Sequence, residues 1–226
     1  LYVKVEGLNE EEAQRFSAKV LHSKMEERFR FTSSHKKLNQ LISNIRWSQK
    51  DNFLSIPTDC PQRDERMGWT GDITVFANTA SYNMETRAFL GHFLKMVELE
   101  QEHLNGAVPF FAPFPKVADR DAQNPFLNSA GAAVWGDAAT VLPMTLFRHF
   151  RDQGLLNSHL SLMMNWVDYI YRQDEERGGK RLWDFGFQLG DWLALDLGIP
   201  GTVFGATDSA LIATIYYYYS ASNTAK

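Results

Sequence analysis

Apolar residues recur at helical spacing along most of the chain, and polar, proline-rich or glycine-rich stretches separate these segments. After Ser34, one such helical face consists of Leu38, Leu41, Ile42 and Ile45. Comparable segments begin near residues 72, 85, 137 and 155, and Asp208 opens a last one. The pattern predicts about six helices and almost no strand.

The connections between these segments alternate between short and long. Residues 53–71 and 105–133 carry prolines and glycines without a helical stripe, and residues 174–190 are polar, glycine-rich and aromatic. Helices joined by short turns pack antiparallel, and long loops inside a compact domain are commonly functional. The sequence therefore favours an all-α toroid of helical hairpins, or part of one, over a compact four-helix bundle.

The first 31 residues follow a different pattern. Residues 1–7 alternate apolar and polar positions and predict one short strand, whereas residues 9–31 are rich in Glu, Lys and Arg and predict a solvated, partly helical linker. One strand does not make a sheet. We therefore expect residues 1–30 to be the end of a β module with its linker, and residues 31–226 to be the helical domain.

Composition and charge narrow the range of partners. The 226 residues include 23 Lys and Arg against 27 Asp and Glu, a formal net charge of −4, so no nucleic-acid partner is expected. The longest apolar run, residues 210–219, is too short to span a bilayer, so no membrane partner is expected either. The histidines lack metal-ligand spacing and Cys60 lacks a recognisable catalytic arrangement, so we predict neither a metal site nor a cysteine nucleophile.

Residues 59–72 carry the densest chemistry in the chain. These 14 positions hold four carboxylates, two arginines and a tryptophan, namely Asp59, Arg63, Asp64, Glu65, Arg66, Trp69 and Asp72. Neighbouring carboxylates and guanidiniums can separate the pKa values of two acids, and acid/base catalysis needs one protonated and one ionised acid. The same residues also fit a structural network of ion pairs that braces the loop.

Trp, Gly and Asp occur together in three places, at residues 69–72, 135–137 and 190–192. If successive helical hairpins stand around a ring, the three segments collect at one rim. Indole faces stack on sugar rings and carboxylates accept hydrogen bonds from sugar hydroxyls. The alternative is that the tryptophans belong to the core and the aspartates cap helices, and we expect Asp72 and Asp137 to cap helices in either case.

The stretch of residues 59–72, DCPQRDERMGWTGD, resembles the signature of the bacterial α-L-rhamnosidases of glycoside hydrolase family 78. Residues 105–109, 135–138 and 190–193 are similar to the same family, and the resemblance covers most of the chain from about residue 30. It implies a catalytic (α/α)6 barrel, or six-hairpin toroid, that follows β-sandwich modules. Residues 1–7 would then be a strand left from the preceding β-sandwich.

The resemblance also implies roles for individual residues. Glu65 matches the family's general acid, which protonates the glycosidic oxygen. Asp59, Arg63 and Asp72 match residues that bind the rhamnose hydroxyls. The aromatic residues that line the sugar pocket match Trp69, Trp135 and Trp192, with Trp183 as an alternative to Trp192.

The family inverts the anomeric configuration and needs a second carboxylate as general base. A complete barrel has twelve helices, and this sequence predicts about six. We therefore expect a barrel truncated at its C-terminus, with the general base on a missing later segment, and little activity from the fragment alone. The expected partners are a rhamnose-containing oligosaccharide or glycoside and the remainder of the parent chain, and the reaction requires no cofactor.

Two other functions remain open from the sequence. A non-catalytic carbohydrate-binding module on the same barrel scaffold would also use stacking tryptophans and carboxylates. An all-α-barrel hydrolase with another sugar specificity is the second, and only the family resemblance argues against it. Glu65 distinguishes an enzyme from the non-catalytic binding module, because catalysis needs an acid whose pKa lies near the working pH and binding does not.

Overall fold

The computed structural model describes residues 6–7, 9–13, 15–17, 19–64, 66–114, 130–195 and 203–226. The helices in these ranges are α1 (Glu10–Ala13), α2 (Lys36–Asn52), α3 (Thr70–Asn83), α4 (Arg87–Glu102), α5 (Ala138–Phe150), α6 (Gln153–Ser158), α7 (Leu160–Glu175) and α8 (Ser209–Thr224). A small antiparallel hairpin of β1 (Phe53–Leu54) and β2 (Ile56–Pro57) follows α2.

The predicted helices are present in the described part of the chain. Six of its helices have 13 residues or more, and α8 begins after Asp208, whose carboxylate accepts a hydrogen bond from the Leu211 N–H at 3.0 Å. The strand predicted for residues 1–7 falls mostly on residues 1–5, which lie outside the described residues. Within the described ranges, the helices all fall short of the length and apolarity needed to cross a membrane.

Helix α5 forms the centre of the described structure. It contacts α3, α4, α6, α7 and α8, and its first nine residues, 138–146, are all buried. A helix that is apolar on every side requires neighbours on every side. The helices around it contribute large side chains to the main core, among them Phe93, Leu94 and Trp166.

Short and long connections alternate between the helices. Residues 84–86 join α3 to α4 and residues 151–152 join α5 to α6, whereas residues 53–69, 103–137 and 176–208 precede α3, α5 and α8. Helices joined by short turns run antiparallel. Helices α3 and α4 are therefore expected to run antiparallel, and the chemistry-bearing loops precede α3, α5 and α8.

The charged segment before α2 packs against the helical domain through backbone hydrogen bonds. The Ser23 N–H donates to the Phe53 carbonyl, the Arg28 N–H to the Asn83 carbonyl and the Glu85 N–H to the Glu26 carbonyl, each at 2.8 Å. Residues 23–28 therefore contact the helical domain directly. The boundary between residues 30 and 31 stays a prediction.

A buried carboxylate connects three helices where α5 begins. Asp137 is fully buried and accepts hydrogen bonds from the Val134 N–H at 2.7 Å, Trp166 Nε1 at 3.0 Å and Ser220 Oγ at 2.5 Å. Trp166 belongs to α7 and Ser220 to α8, so one carboxylate holds both helices against the start of α5. A buried carboxylate is tolerated only when such donors replace water.

Asp137 predicts a specific pH dependence of stability. Burial raises the pKa of its carboxyl, and the hydrogen bonds from Ser220, Trp166 and the Val134 N–H oppose that shift. Because the folded protein holds the proton more tightly than the unfolded chain, this contribution is complete below the unfolded pKa of about 3.9 and is lost as pH rises through the folded pKa.

We therefore compare the wild type with Asp137→Asn, in which this group cannot titrate. The stability advantage of the wild type over the variant should be largest at low pH and should decrease as pH rises. Urea unfolding of both proteins at several pH values measures this difference, and all other carboxyls titrate in both. A difference that is independent of pH would contradict the prediction.

Candidate functional site

The three predicted tryptophans, which lie in the connections before α3, α5 and α8, meet in one cluster. Trp69, Trp135 and Trp192 pack in a cluster apart from the main core, which we call the aromatic cluster; its other members are Met67, Phe110, Phe111, Phe114, Ala132, Val134 and Leu189. The rings of Trp69 and Phe111 lie 5.2 Å apart between centroids, and those of Phe110 and Trp135 lie 6.4 Å apart. The Trp-Gly-Asp segments therefore collect in one place, as their spacing predicts.

Trp183 occupies a different position from the other candidate tryptophans. It is 2% exposed, belongs to the main core and packs edge-on against Trp166 with 5.7 Å between ring centroids. Trp192 is half-buried and contacts Phe204 with 5.5 Å between centroids. Of the two alternatives from the sequence, Trp192 is therefore the one that joins the aromatic cluster.

The proline-rich loop before α5 fixes the loop before α3. The Thr70 hydroxyl lies 3.0 Å from the Pro109 carbonyl and 2.9 Å from the Phe110 carbonyl, and the Thr70 N–H donates to Phe110 at 2.8 Å. The Ala112 N–H donates to the Gly68 carbonyl at 3.0 Å. These backbone contacts place Trp69 beside Phe111. Phe110 and Phe111 are site residues that the sequence pattern did not identify, although two adjacent phenylalanines in a proline-rich loop were a signal for them.

Two glycines of the Trp-Gly-Asp segments allow close packing of indole rings. A Cβ atom on Gly71 would lie 2.3 Å from Cε2 of Trp135, and one on Gly136 would lie 2.1 Å from Cη2 of Trp166. Both distances are far below a van der Waals contact. The glycines therefore have a packing function: each lets a tryptophan from another segment lie directly on the backbone.

Asp59 and Asp72 line one pocket of about 210 Å³. Its walls come from the last turn of α2, the β1–β2 hairpin and the first two turns of α3. The Asp59 N–H donates to the carbonyl of Met67 at 3.3 Å, and the Met67 side chain packs in the aromatic cluster. The structure thus brings Asp59 and Asp72 together and joins their pocket to the cluster through residues 67–72.

The Asp59 carboxylate is buried but weakly held. Its side chain is 8% exposed, and Oδ1 is shielded from solvent without a hydrogen-bond partner among the described residues. Oδ2 lies 3.8 Å from Nη2 of Arg63, beyond hydrogen-bond distance. A buried acceptor normally has a partner, so Asp59 is suited to accept a hydrogen bond from a ligand.

The expected capping role of Asp72 is wrong, and Asp137 occupies the N-cap position of α5 without capping it through its side chain. Helix α3 begins at Thr70 after Trp69, so Asp72 lies inside its first turn, where its exposed carboxylate faces the helix dipole. Asp137 does precede α5, but its side chain makes no capping hydrogen bond and is directed to Val134, Trp166 and Ser220 instead. The aspartates of two Trp-Gly-Asp segments therefore differ in environment: Asp72 is exposed in the first turn of α3, whereas Asp137 is buried and hydrogen-bonded.

The two ion pairs described for this loop, Arg63–Asp59 and Arg66–Asp64, are long. Arg63 and Arg66 have side chains that are each 61% exposed, and their distances to Asp59 and Asp64 are both 3.8 Å. Both distances exceed a hydrogen bond, and the Arg66–Asp64 pair is exposed at both ends, so it contributes little to stability. Glu65 lies outside the described residues, and within the described ranges the structure has no group of three or more side chains that could hold a metal ion.

The close approach of Gly71 to Trp135 gives a testable prediction. Gly71→Ala should lower the free energy of unfolding by about 1–3 kcal/mol, because the added methyl group overlaps the indole ring. Tryptophan fluorescence should shift as the aromatic cluster rearranges. Gly154→Ala is the matched control, since its Cβ would meet only Asp152 Oδ1 at 3.4 Å in helix α6. Equal stability of the two variants would contradict the proposed packing function.

The sequence of the chain matches the family model described as the bacterial α-L-rhamnosidase six-hairpin glycosidase domain over residues 26–226. Curated relatives named α-L-rhamnosidase include one from Formosa agariphila, 36% identical over 92% of this chain, and one from Streptomyces avermitilis, 37% identical over the whole chain. The chain spans 20% of the length of each of these relatives.

Solved structures show the same similarity in three dimensions. The chain superimposes on Streptomyces avermitilis α-L-rhamnosidase complexed with L-rhamnose with a TM-score of 0.74 and 36% identity, covering 90% of this chain and 18% of the other. Its TM-score with the α-L-rhamnosidase from Aspergillus terreus is 0.75 at 36% identity, covering 90% of this chain and 22% of that one. The predicted all-α six-hairpin fold class is thereby confirmed, and the chain belongs to the bacterial α-L-rhamnosidase six-hairpin glycosidase family.

Proposed function

We propose that this chain forms part of the catalytic domain of an inverting α-L-rhamnosidase, which removes terminal α-L-rhamnose from rhamnose-containing glycosides. Family membership and relatives at 34–37% identity support this substrate class. Because the chain spans about a fifth of those relatives, we propose the activity for a longer protein that carries it. The remainder of that protein is then a required partner.

The observation that carries the proposal is the meeting of an aromatic cluster and a carboxylate-lined pocket at the start of α3. Trp69 immediately precedes α3, and Asp72 lies in its first turn. Indole faces bind the apolar face of a sugar ring, whereas carboxylates accept its hydroxyl hydrogen bonds. Their combination at one helix terminus fits a pyranose better than a fully apolar or a fully charged ligand.

The roles of the binding residues follow from this arrangement. We assign the hydroxyl contacts to Asp59, Arg63 and Asp72, of which Asp59 is buried and Arg63 is exposed enough to move toward a ligand. Trp69, Trp135 and Trp192 shape the aromatic wall. These assignments would place the sugar between the pocket and the aromatic cluster.

Glu65 is the proposed general acid. In the sequence it lies between Asp64 and Arg66, six positions after Asp59 and four before Trp69. In an inverting mechanism the acid gives its proton to the glycosidic oxygen as the bond to the anomeric carbon breaks. Water attacks the opposite face of that carbon and loses a proton to the general base.

The general base is proposed to lie in the remainder of the longer protein. An inverting enzyme holds its two carboxyls about 6.5–9.5 Å apart so that a water molecule fits between base and sugar. The last glutamates of this chain, Glu175 and Glu176, pair with Arg181 at 2.5 Å and with Arg177 at 3.7 Å. Neither fits the role of a base, and the mechanism requires no cofactor.

Glu65→Gln tests the assignment of the acid in the full-length protein. The kcat of the variant on methyl α-L-rhamnoside should fall about 100-fold or more, because the methoxide leaving group of this substrate needs a proton from the acid. The loss should be much smaller on 4-nitrophenyl α-L-rhamnoside, whose phenolate leaves without one. Steady-state kinetics on both substrates measures this dependence on the leaving group.

Asp64→Asn is the matched control, since it removes a neighbouring carboxylate whose side chain is fully exposed. Its kcat should stay within about threefold of the wild type on both substrates, as expected for a group outside the reaction centre. Equal losses for Glu65→Gln on both substrates would contradict a general acid. A wild type that binds L-rhamnose but hydrolyses neither substrate would instead support the non-catalytic binding module.

A further inference from the structure

We propose that Thr58 is a positioning residue for Asp59, and this inference rests on the proposed function of the Asp59 pocket. Thr58 lies immediately before Asp59 and lines the same pocket. Its N–H and its hydroxyl both donate to the carbonyl of Asn52, each at 2.9 Å. Two hydrogen bonds to one carbonyl fix both the backbone and the side chain of this residue.

The acceptor of these bonds is itself well anchored. Asn52 is the last residue of α2, where backbone carbonyls have no partner within the helix. Its side-chain Nδ2 donates to the Ser48 carbonyl one turn earlier at 2.8 Å. The pair of bonds from Thr58 therefore closes the β1–β2 hairpin onto the end of a 17-residue helix.

Asp59 depends on this closure because its own side chain is weakly constrained. Oδ1 has no hydrogen-bond partner among the described residues, and the described contact of Oδ2 is the 3.8 Å distance to Arg63. Its N–H makes a hydrogen bond of 3.3 Å to Met67. The position of the carboxylate is therefore set mainly by the backbone, and Thr58 is the nearest firmly held point of that backbone.

The geometry indicates how a substrate would benefit from Thr58. A carboxylate that is held in place before the sugar arrives accepts a hydroxyl hydrogen bond without first losing conformational freedom. Loss of the Thr58 hydroxyl would leave the N–H bond intact and the hairpin closed. The expected effect is therefore weaker substrate binding in an otherwise folded protein.

The test uses the full-length protein and 4-nitrophenyl α-L-rhamnoside. Thr58→Val, which replaces the hydroxyl with a methyl group of similar size, should raise KM about three- to tenfold with kcat within about twofold. Thr58→Ser, which keeps the hydroxyl, should restore KM to within about twofold of the wild type. Thr224→Val is the matched control. Thr224 is the last residue of α8, outside the pocket, and its hydroxyl also donates to a backbone carbonyl, that of Ser220 at 2.9 Å.

A double-mutant cycle separates positioning from a general structural role. In the Asp59→Ala background, Thr58→Val should leave KM unchanged within about twofold, because the group through which Thr58 acts is absent. An equal increase in KM in both backgrounds would overturn the inference. So would a lower kcat and a lower Tm of Thr58→Val at unchanged KM, since these indicate only partial unfolding.

The same measurements distinguish this inference from the function on which it depends. If the wild type hydrolyses the rhamnoside and Thr58→Val has a normal KM, the inference is wrong and the proposed function stands. If the wild type has no activity on rhamnosides, both are overturned.

Discussion

The packing of α7 and α8 against the central helix α5 depends on the burial of one carboxylate, that of Asp137. It lies at the start of the central helix α5 and accepts hydrogen bonds from a backbone N–H, an indole of α7 and a hydroxyl of α8. Transfer of a carboxylate out of water is unfavourable unless donors replace the lost solvent. The donors come from residues 134, 166 and 220, so the network is complete only when all three segments reach their native positions. Asp137 therefore links the local turn before α5 to the tertiary packing of two later helices.

The packing around this carboxylate determines where the aromatic cluster can form. The turn that directs the Val134 N–H to Asp137 also carries Trp135, whose ring lies against Gly71 in the first turn of α3. Gly136 in the same turn accepts the ring of Trp166. The absence of a side chain at two positions thus lets two tryptophans approach the backbone. As a result, the loops before α3, α5 and α8 converge, and the cluster adjoins the pocket of Asp59 and Asp72.

Much of this architecture follows from local sequence, and the remainder depends on distant partners. Helical spacing of apolar residues predicts the six long helices, and the alternation of short and long connections predicts that Trp69, Trp135 and Trp192 meet. The same reasoning fails for Asp137, because its role is set by Ser220, 83 positions away. It also fails to separate Trp183 from Trp192, since only the packing against Trp166 shows that the former belongs to the core. Position along the chain identifies candidates, whereas burial and partners decide their roles.

The contrast between Asp59 and Asp137 gives a physical criterion for that decision. Both carboxylates are buried, but Asp137 receives three hydrogen bonds, whereas one oxygen of Asp59 has no partner among the described residues. A carboxylate with all its donors supplied by the protein stabilises the fold and has little capacity left for a ligand. A shielded carboxylate with an unfilled acceptor carries a cost that a ligand hydroxyl could remove on binding. By this criterion Asp59 is the better candidate for substrate recognition, and Asp137 acts on the site only through the position of Trp135.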